Sequence, residues 1–315
     1  MSATRDGTTS NAGTLPNGRD ESTYLARQGK LIERRSTTRP KFIEGWHKEL
    51  KRKLAKAQAA SPSTAEATGR VDIWVANPDA LLRSESCLKV LSEPDWASLN
   101  RIQDASSRRS AIAGRVLLRI GLSWAADHRV APSDWRFAIA AHDRPIVANG
   151  LPFIHFSVSH VDQLVVVAIS PTLDVGIDVE CVDQNVSENV IAEFCHLDDH
   201  HSVGGLPRPQ EIREFIRLWT LKEAYTKMIG VGHTLDFKTI KFVLDPVDLK
   251  LAGEGEKNND STQFENFYVS YKHALFHASL AIRNPAASAG STEVQIISLA
   301  NAEGRDAVYA APLSD

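Results

Sequence analysis

The sequence predicts a mixed α/β (α+β) fold built as two similar halves, and three observations carry that expectation. Helix-period apolar patterns occur over residues 95–127 and again over 208–230, each much longer than the patterns around them. Short runs of β-branched residues bounded by turn signals follow each helix pattern. Two of those runs, "LVVVAIS" and "FHASLAIRN", echo one another, each closing a helix-then-strands series, which hints at an internal repeat.

Residues 1–38 are rich in Ser, Thr, Gly, Asn and charge, a composition expected to stay disordered. "KFIEGWHKELKRKLAKA" follows, with Ile43, Trp46, Leu50, Leu54 and Ala57 at helical spacing and a local excess of Lys and Arg. "AASPSTAEATG" (59–69) reads as a linker, and "VDIWVA" begins the ordered part as a strand. From Asp95 to Asp127 the pattern is helical, with Ile112, Val116, Ile120 and Trp124 recurring every four residues. Pro132 and Pro145 lie in a connecting region. "FIHFSVSH" and "QLVVVAIS" then form a strand pair around a turn at residues 160–163, and "DVGIDVE" is the next strand. The helix "RPQEIREFIRLWTLKEAYTKMIG" places Ile212, Phe215, Trp219 and Met228 on or near one face, with Gly230 and Gly232 as stop signals. "FKTIKFVLD", "FENFYVSYK" and "LFHASLAIRN" read as strands. The tail after Asn284 is small and polar except for "EVQIISLA". The expected division is an extension at 1–70, halves at 71–173 and 174–300, and a tail at 301–315.

Of the 315 residues, 43% are hydrophobic, 24% charged and 7% aromatic, the balance of a globular protein. A net charge of −3 argues against a dedicated nucleic-acid binder. Cys87, Cys181 and Cys195 are unevenly spaced with no CxxC pair, so neither a disulfide framework nor a cysteine zinc site is expected. No stretch approaches the roughly 20 apolar residues of a membrane span, and the N-terminus lacks the apolar core of a secretory signal. The expected location is cytoplasmic.

"VGIDVE" sets two carboxylates one residue apart in an apolar strand. Alternation points Asp178 and Glu180 to one face, while Ile177 and Val179 face the core. Two like charges so close call for a cation between them, and a hard divalent ion is the natural one. In "WTLKEAYTK", Glu223 and Lys227 lie four apart on one helix face, offering a third acid and a cation for phosphate. His160, beside Ser159, would serve the same phosphate. Taken singly, each feature has a plainer reading as a solvated strand edge, a surface helix pair or a packing histidine, and spacing alone does not bring them together.

"FSVSH", "VGIDVE" and "WTLKEAYTKMIGVG", in that order, resemble the three signature stretches of the Sfp-type (group II) 4′-phosphopantetheinyl transferases, a likeness spanning about 71–284. That family moves phosphopantetheine from coenzyme A to a serine of an apo acyl or peptidyl carrier protein, using Mg²⁺ and releasing 3′,5′-ADP. Its fold is a pseudodimer of two α/β halves with the active site between them, which implies a monomer. The resemblance makes Asp178, Glu180 and Glu223 metal ligands, with Glu223 also the base for the attacking serine. Lys227 falls on the lysine at the α-phosphate, and His160 with Ser159 on the "SH" pair at a coenzyme A phosphate. Lys222 is the lysine of the "KE" pair. Arg144 in "HDRPI" stands near the nucleotide, and Arg109 with Arg101 at the 3′-phosphate. Ser157 stands where the family commonly has Asn, Arg144 replaces a lysine, and the register at Arg108 and Arg109 is ambiguous by one. Two alternatives stand beside the transferase: a Mg²⁺-dependent phosphodiesterase acting on coenzyme A or holo-carrier protein, which would use the same residues, and a non-catalytic binding relative, which the presence of all three acids and Lys227 disfavours.

Overall fold

The computed structural model describes residues 69–149, 154–195, 203–244, 247–251, 262–284, 292–299 and 309–312. All of them fall in one compact unit, Thr38–Pro312. The basic helical pattern at 41–57, the N-terminal tract and all but the last residue of the linker lie outside the described residues.

The chain opens with β1 (Gly69–Ala76), followed by short helices α1 (Pro78–Leu82), α2 (Glu85–Leu88) and α3 (Glu93–Leu99) and the long α4 (Ala105–Ala125). A small hairpin, β2 (Phe137–Ile139) and β3 (Pro145–Val147), leads to β4 (His155–Val161) and β5 (Leu164–Ser170). Next come β6 (Asp174–Cys181), α5 (Glu188–Phe194) and the long α6 (Arg208–Ile229). After these lie β7 (Ile240–Leu244), β8 (Val247–Leu251), β9 (Thr262–Tyr271), β10 (Ala274–Arg283), β11 (Thr292–Leu299) and β12 (Tyr309–Pro312).

Two four-stranded sheets form, ordered β11-β1-β5-β4 and β12-β9-β10-β6. The same order of events builds both. A strand runs into a long helix, then a hairpin whose second strand lies antiparallel beside the first strand: β1, α4, β4–β5 and β6, α6, β9–β10. The sheets face each other across one apolar layer, with Val71, Ile73 and Val166 from the first meeting Val175, Ile177 and Leu280 from the second. Outside that layer α4 covers the first sheet through Ala113, Val116 and Leu117, and α6 covers the second. Because both faces of β1 and β5 are covered, their residues are apolar almost without alternation.

The helical pattern at 95–127 resolves into two helices, not one. The Asp95 carboxylate accepts the Ser92 backbone N–H at 2.8 Å in a capping box at the start of α3. The Asp104 carboxylate then accepts the Ser107 N–H at 2.6 Å and starts α4. The β4–β5 turn occupies only residues 162–163, so His160 lies within β4. Helix α6 ends as expected at Gly230, whose φ of 76° is the left-handed cap. "EVQIISLA" proves to be β11, which runs parallel to β1 from Gly69↔Thr292 to Ala76↔Leu299. A boundary at 173/174 therefore does not divide the strands by sheet.

Candidate active site

The site forms where β4, the edge of the first sheet, runs beside β6, the edge of the second. Three side-chain rungs join them. His155 Nδ1 meets Asp174 Oδ1 at 2.9 Å, Ser157 Oγ accepts the Ile177 backbone N–H at 3.0 Å, and Ser159 Oγ donates to Asp178 Oδ1 at 2.8 Å. The Ser157 that departs from the family's Asn is thus occupied in pinning the two sheets together.

Helix α6 reaches this seam because β6 carries no side chain at Gly176. A Cβ built there would lie 1.9 Å from the Ala224 carbonyl oxygen and 2.4 Å from the Met228 nitrogen. The glycine of "VGIDVE" is therefore the contact point between strand and helix, and it brings "KEAYTK" over the acids. In the sequence the carboxylates of this motif are conspicuous and its glycine is not, although a lone Gly inside a strand pattern signals close backbone approach.

Asp178 and Glu180 lie on the face of β6 opposite Ile177 and Val179, which face the layer between the sheets; Asp178 is buried and Glu180 half-buried. Asp178 is 4% exposed, and Lys227 Nζ donates to its Oδ1 at 2.6 Å. Its Oδ2 is buried with no hydrogen bond. Glu223 is buried on α6. Burial first, then the neighbouring Asp178 charge, pushes the Glu180 pKa up to about 7, and Glu223 adds to the push. Gln184 Nε2 donates to Glu180 Oε2 at 3.2 Å. Crowded hard-oxygen donors, one of them a buried orphan, fit Mg²⁺ held by Asp178, Glu180 and Glu223. They are not yet a preformed cage: among the described residues no three acidic, His or Cys side chains stand together at ligand spacing. Lys227 neutralises Asp178 instead.

The expected cations are distributed more widely. The His160 side chain ends at the solvent-exposed rim, yet enough protein surrounds its imidazole for desolvation, and then the Lys227 charge, to push its pKa down. Arg109 on α4 grips Asp79 Oδ1 through Nε and Nη2 at 2.8 and 2.6 Å, and donates to the Asp162 carbonyl at 3.1 Å. That places Arg109 at the turn just after His160. Arg144 projects from the β2–β3 turn against the C-terminal end of α6 at Gly230, where a cation suits the helix dipole. Arg101 is exposed in the loop between α3 and α4. Lys222 is where the structure departs from the expected nucleotide contacts. It is 1% exposed, and its Nζ donates to the carbonyls of Phe194 at 3.1 Å and Phe237 at 3.0 Å. The ammonium braces the segments flanking α6. The position next to Glu223 on a helix turns its side chain to a different face.

A polar network that the sequence gave no reason to expect backs the acids. Ser279 and His277 on β10 are the ladder partners of Asp178 and Glu180. His277 Nδ1 and Ser279 Oγ both meet Thr220 Oγ1 of α6, at 2.9 and 2.8 Å. Burial, then the Arg217 charge, drops the His277 pKa to about 3, so its ring is neutral.

Residues 174–279 match the 4′-phosphopantetheinyl transferase superfamily, a span that runs from the start of β6 through the network on β10. The chain is 27% identical over 193 residues to the 4′-phosphopantetheinyl transferase HetI of Nostoc sp., covering 59% of this chain and 79% of that protein. It is 26% identical to the L-aminoadipate-semialdehyde dehydrogenase-phosphopantetheinyl transferase of Pongo abelii, covering 58% and 63%. Among solved structures, the holo-[acyl-carrier-protein] synthase of Thermotoga maritima aligns with a TM-score of 0.26 and 23% identity, over 35% of this chain and 62% of that one. Residues 174–279, where the acids and two of the three sequence motifs lie, are thus similar to the 4′-phosphopantetheinyl transferase superfamily.

Proposed function

We propose that this protein transfers the 4′-phosphopantetheine of coenzyme A to a serine of an apo carrier protein, with Mg²⁺ as cofactor and 3′,5′-ADP as the second product. The observation that carries this reading is Asp178: buried, with one oxygen held by Ser159 and Lys227 and the other buried without a hydrogen bond. The repeated strand–helix–hairpin order supports a pseudodimer whose site lies between the halves, and so a monomeric enzyme.

Glu223 takes the proton from the carrier serine hydroxyl, and the freed oxygen forms a bond to the β-phosphorus of coenzyme A. The bond from that phosphorus to the bridging oxygen breaks, and its electron pair leaves on 3′,5′-ADP. A positioned carboxylate base contributes about 10²–10⁴-fold to such a step. Mg²⁺ bound by Asp178, Glu180 and Glu223 would supply charge stabilisation at the pyrophosphate. The Lys227 ammonium sits on a flexible four-carbon stem and can exchange its Asp178 oxygen for a phosphate oxygen of the leaving group. Arg109, Arg101 and Arg144 form the cationic rim for the remaining phosphates, and His160 offers them a hydrogen bond.

The test is incubation of the protein with labelled coenzyme A, Mg²⁺ and a panel of apo-carrier domains. A mass gain of one phosphopantetheine on a carrier supports transfer. Free phosphopantetheine without carrier modification would identify a phosphodiesterase, and no turnover of either kind a binding protein.

A further inference from the structure

The β2–β3 hairpin that carries Arg144 is anchored at its base by a buried guanidinium. Arg119, on α4, is 1% exposed. Its Nη1 donates to the carbonyls of Pro132 at 2.8 Å and Trp135 at 3.1 Å, on the segment leading into β2. Its Nη2 donates to Ser92 Oγ at 2.9 Å and pairs with Asp95 Oδ2 at 2.5 Å. Arg115, one turn earlier, holds Asp95 Oδ1 at 2.8 Å. Both guanidinium groups then stack on Phe137, the first residue of β2, with their central carbons 5.1 and 5.2 Å from the ring centre. At the far end the Ala140 N–H donates to the Arg144 carbonyl at 2.8 Å, and the Arg144 side chain lies against Gly230. The hairpin thus spans from the helix of one sheet to the helix of the other.

Burying a guanidinium is expensive, and an apolar residue would pack α4 against its sheet more cheaply. What a buried fork gives instead is direction, since its donors are fixed in one plane. We propose that Arg119, together with Asp95 and Arg115, is a positioning residue that sets the angle of the β2–β3 hairpin and thereby the affinity for the nucleotide end of coenzyme A. This rests on Arg144 being a nucleotide contact of the transferase.

Two variants test it in the full chain: Phe137→Leu, which removes the ring face and keeps a side chain of related size, and Arg119→Lys, which keeps the charge at Asp95 and loses the fork. Each should raise KM for coenzyme A roughly three- to tenfold, as loss of both cation–π contacts in Phe137→Leu, or of the guanidinium fork in Arg119→Lys, implies, with kcat within about twofold. Amide exchange should quicken at Ala140 and Ala148 while the β5 amides keep wild-type protection. Phe137→Tyr, which restores the ring, should recover both values. If Arg119→Lys fails to fold, Phe137→Leu alone decides. Unchanged hairpin exchange would overturn the clamp, and faster exchange with unchanged KM would overturn its link to the nucleotide. Carrier labelling by the wild-type protein separates either result from a failure of the transferase reading.

Discussion

Replacing Gly176 by Ala adds one methyl group and should disable the site. The new carbon would stand 1.9 Å from the Ala224 oxygen, 2.4 Å from the Met228 nitrogen and 3.0 Å from the Met228 Cα. Comfortable carbon contacts lie near 3.5 Å, so α6 must retreat from β6 by roughly 1.5 Å. All three obstacles are backbone atoms, and no rotamer change relieves them. Overpacking of this kind costs about 1–3 kcal/mol, and the rigid neighbours put this case at the upper end. Lys227 and Asp178 sit on the two elements forced apart, so their 2.6 Å contact opens as well. Gly114→Ala on α4 is the matched control, because there the nearest atom is a Val158 methyl at 3.3 Å, which can yield. Urea unfolding followed by circular dichroism gives the stability difference, and labelled coenzyme A with an apo-carrier gives kcat/KM. Gly176→Ala should lose much of its unfolding midpoint and most of its turnover, while Gly114→Ala stays near wild type. A Gly176→Ala protein with wild-type midpoint and turnover would refute the close-approach argument.

Glu223→Gln should reduce transfer by at least about 10²-fold at saturating Mg²⁺ without lowering the melting temperature of the metal-free protein, and near-normal turnover would remove Glu223 from the mechanism. Lys222→Met should cost stability by about 1–3 kcal/mol, since two carbonyls lose a charged donor, yet leave KM for coenzyme A unchanged. A large KM rise in a stably folded Lys222→Met protein would restore it to the nucleotide site. The Glu180 pKa is raised to about 7 from an ordinary 4.5, so the folded metal-free protein binds more protons than the unfolded chain between those values. Its contribution to stability therefore falls as pH rises from 4.5 to 7 and is flat above. Subtracting the Glu180→Gln melting curve across that pH range should isolate this slope, and parallel curves would contradict the crowded-acid picture.

The two long helices and the strands that meet them were legible because period and turn chemistry agree there. The break between α3 and α4 was not, because Asp95 and Asp104 fall within a continuous apolar period and only their capping bonds reveal two starts. Strand β11 was visible as an apolar run, but nothing local tells a strand that its partner lies more than two hundred residues away. At the site, the motifs placed Asp178, Glu180, Glu223 and Lys227 on adjoining elements, as the structure does. Lys222 misled because motif order fixes a residue's neighbours in sequence and not the direction of its side chain. The Thr220, His277 and Ser279 network was illegible for a related reason. Each residue reads as ordinary in its own element, and only the register of β10 on β6 puts them behind the acids.

The parallel pairing of β11 with β1 has a temporal consequence. β1 leaves the ribosome among the first described strands, and β11 follows some 223 residues later. At a synthesis rate of about 5–20 residues per second, that edge waits roughly ten to forty-five seconds for its partner. Throughout that interval β1 offers an uncovered row of backbone donors and acceptors, the kind of edge that recruits strands from other chains. Loop closure over such a span is also slow after release. Newborn chains are thus most vulnerable to association before β11 arrives, and a fragment ending at β10 carries that vulnerability permanently.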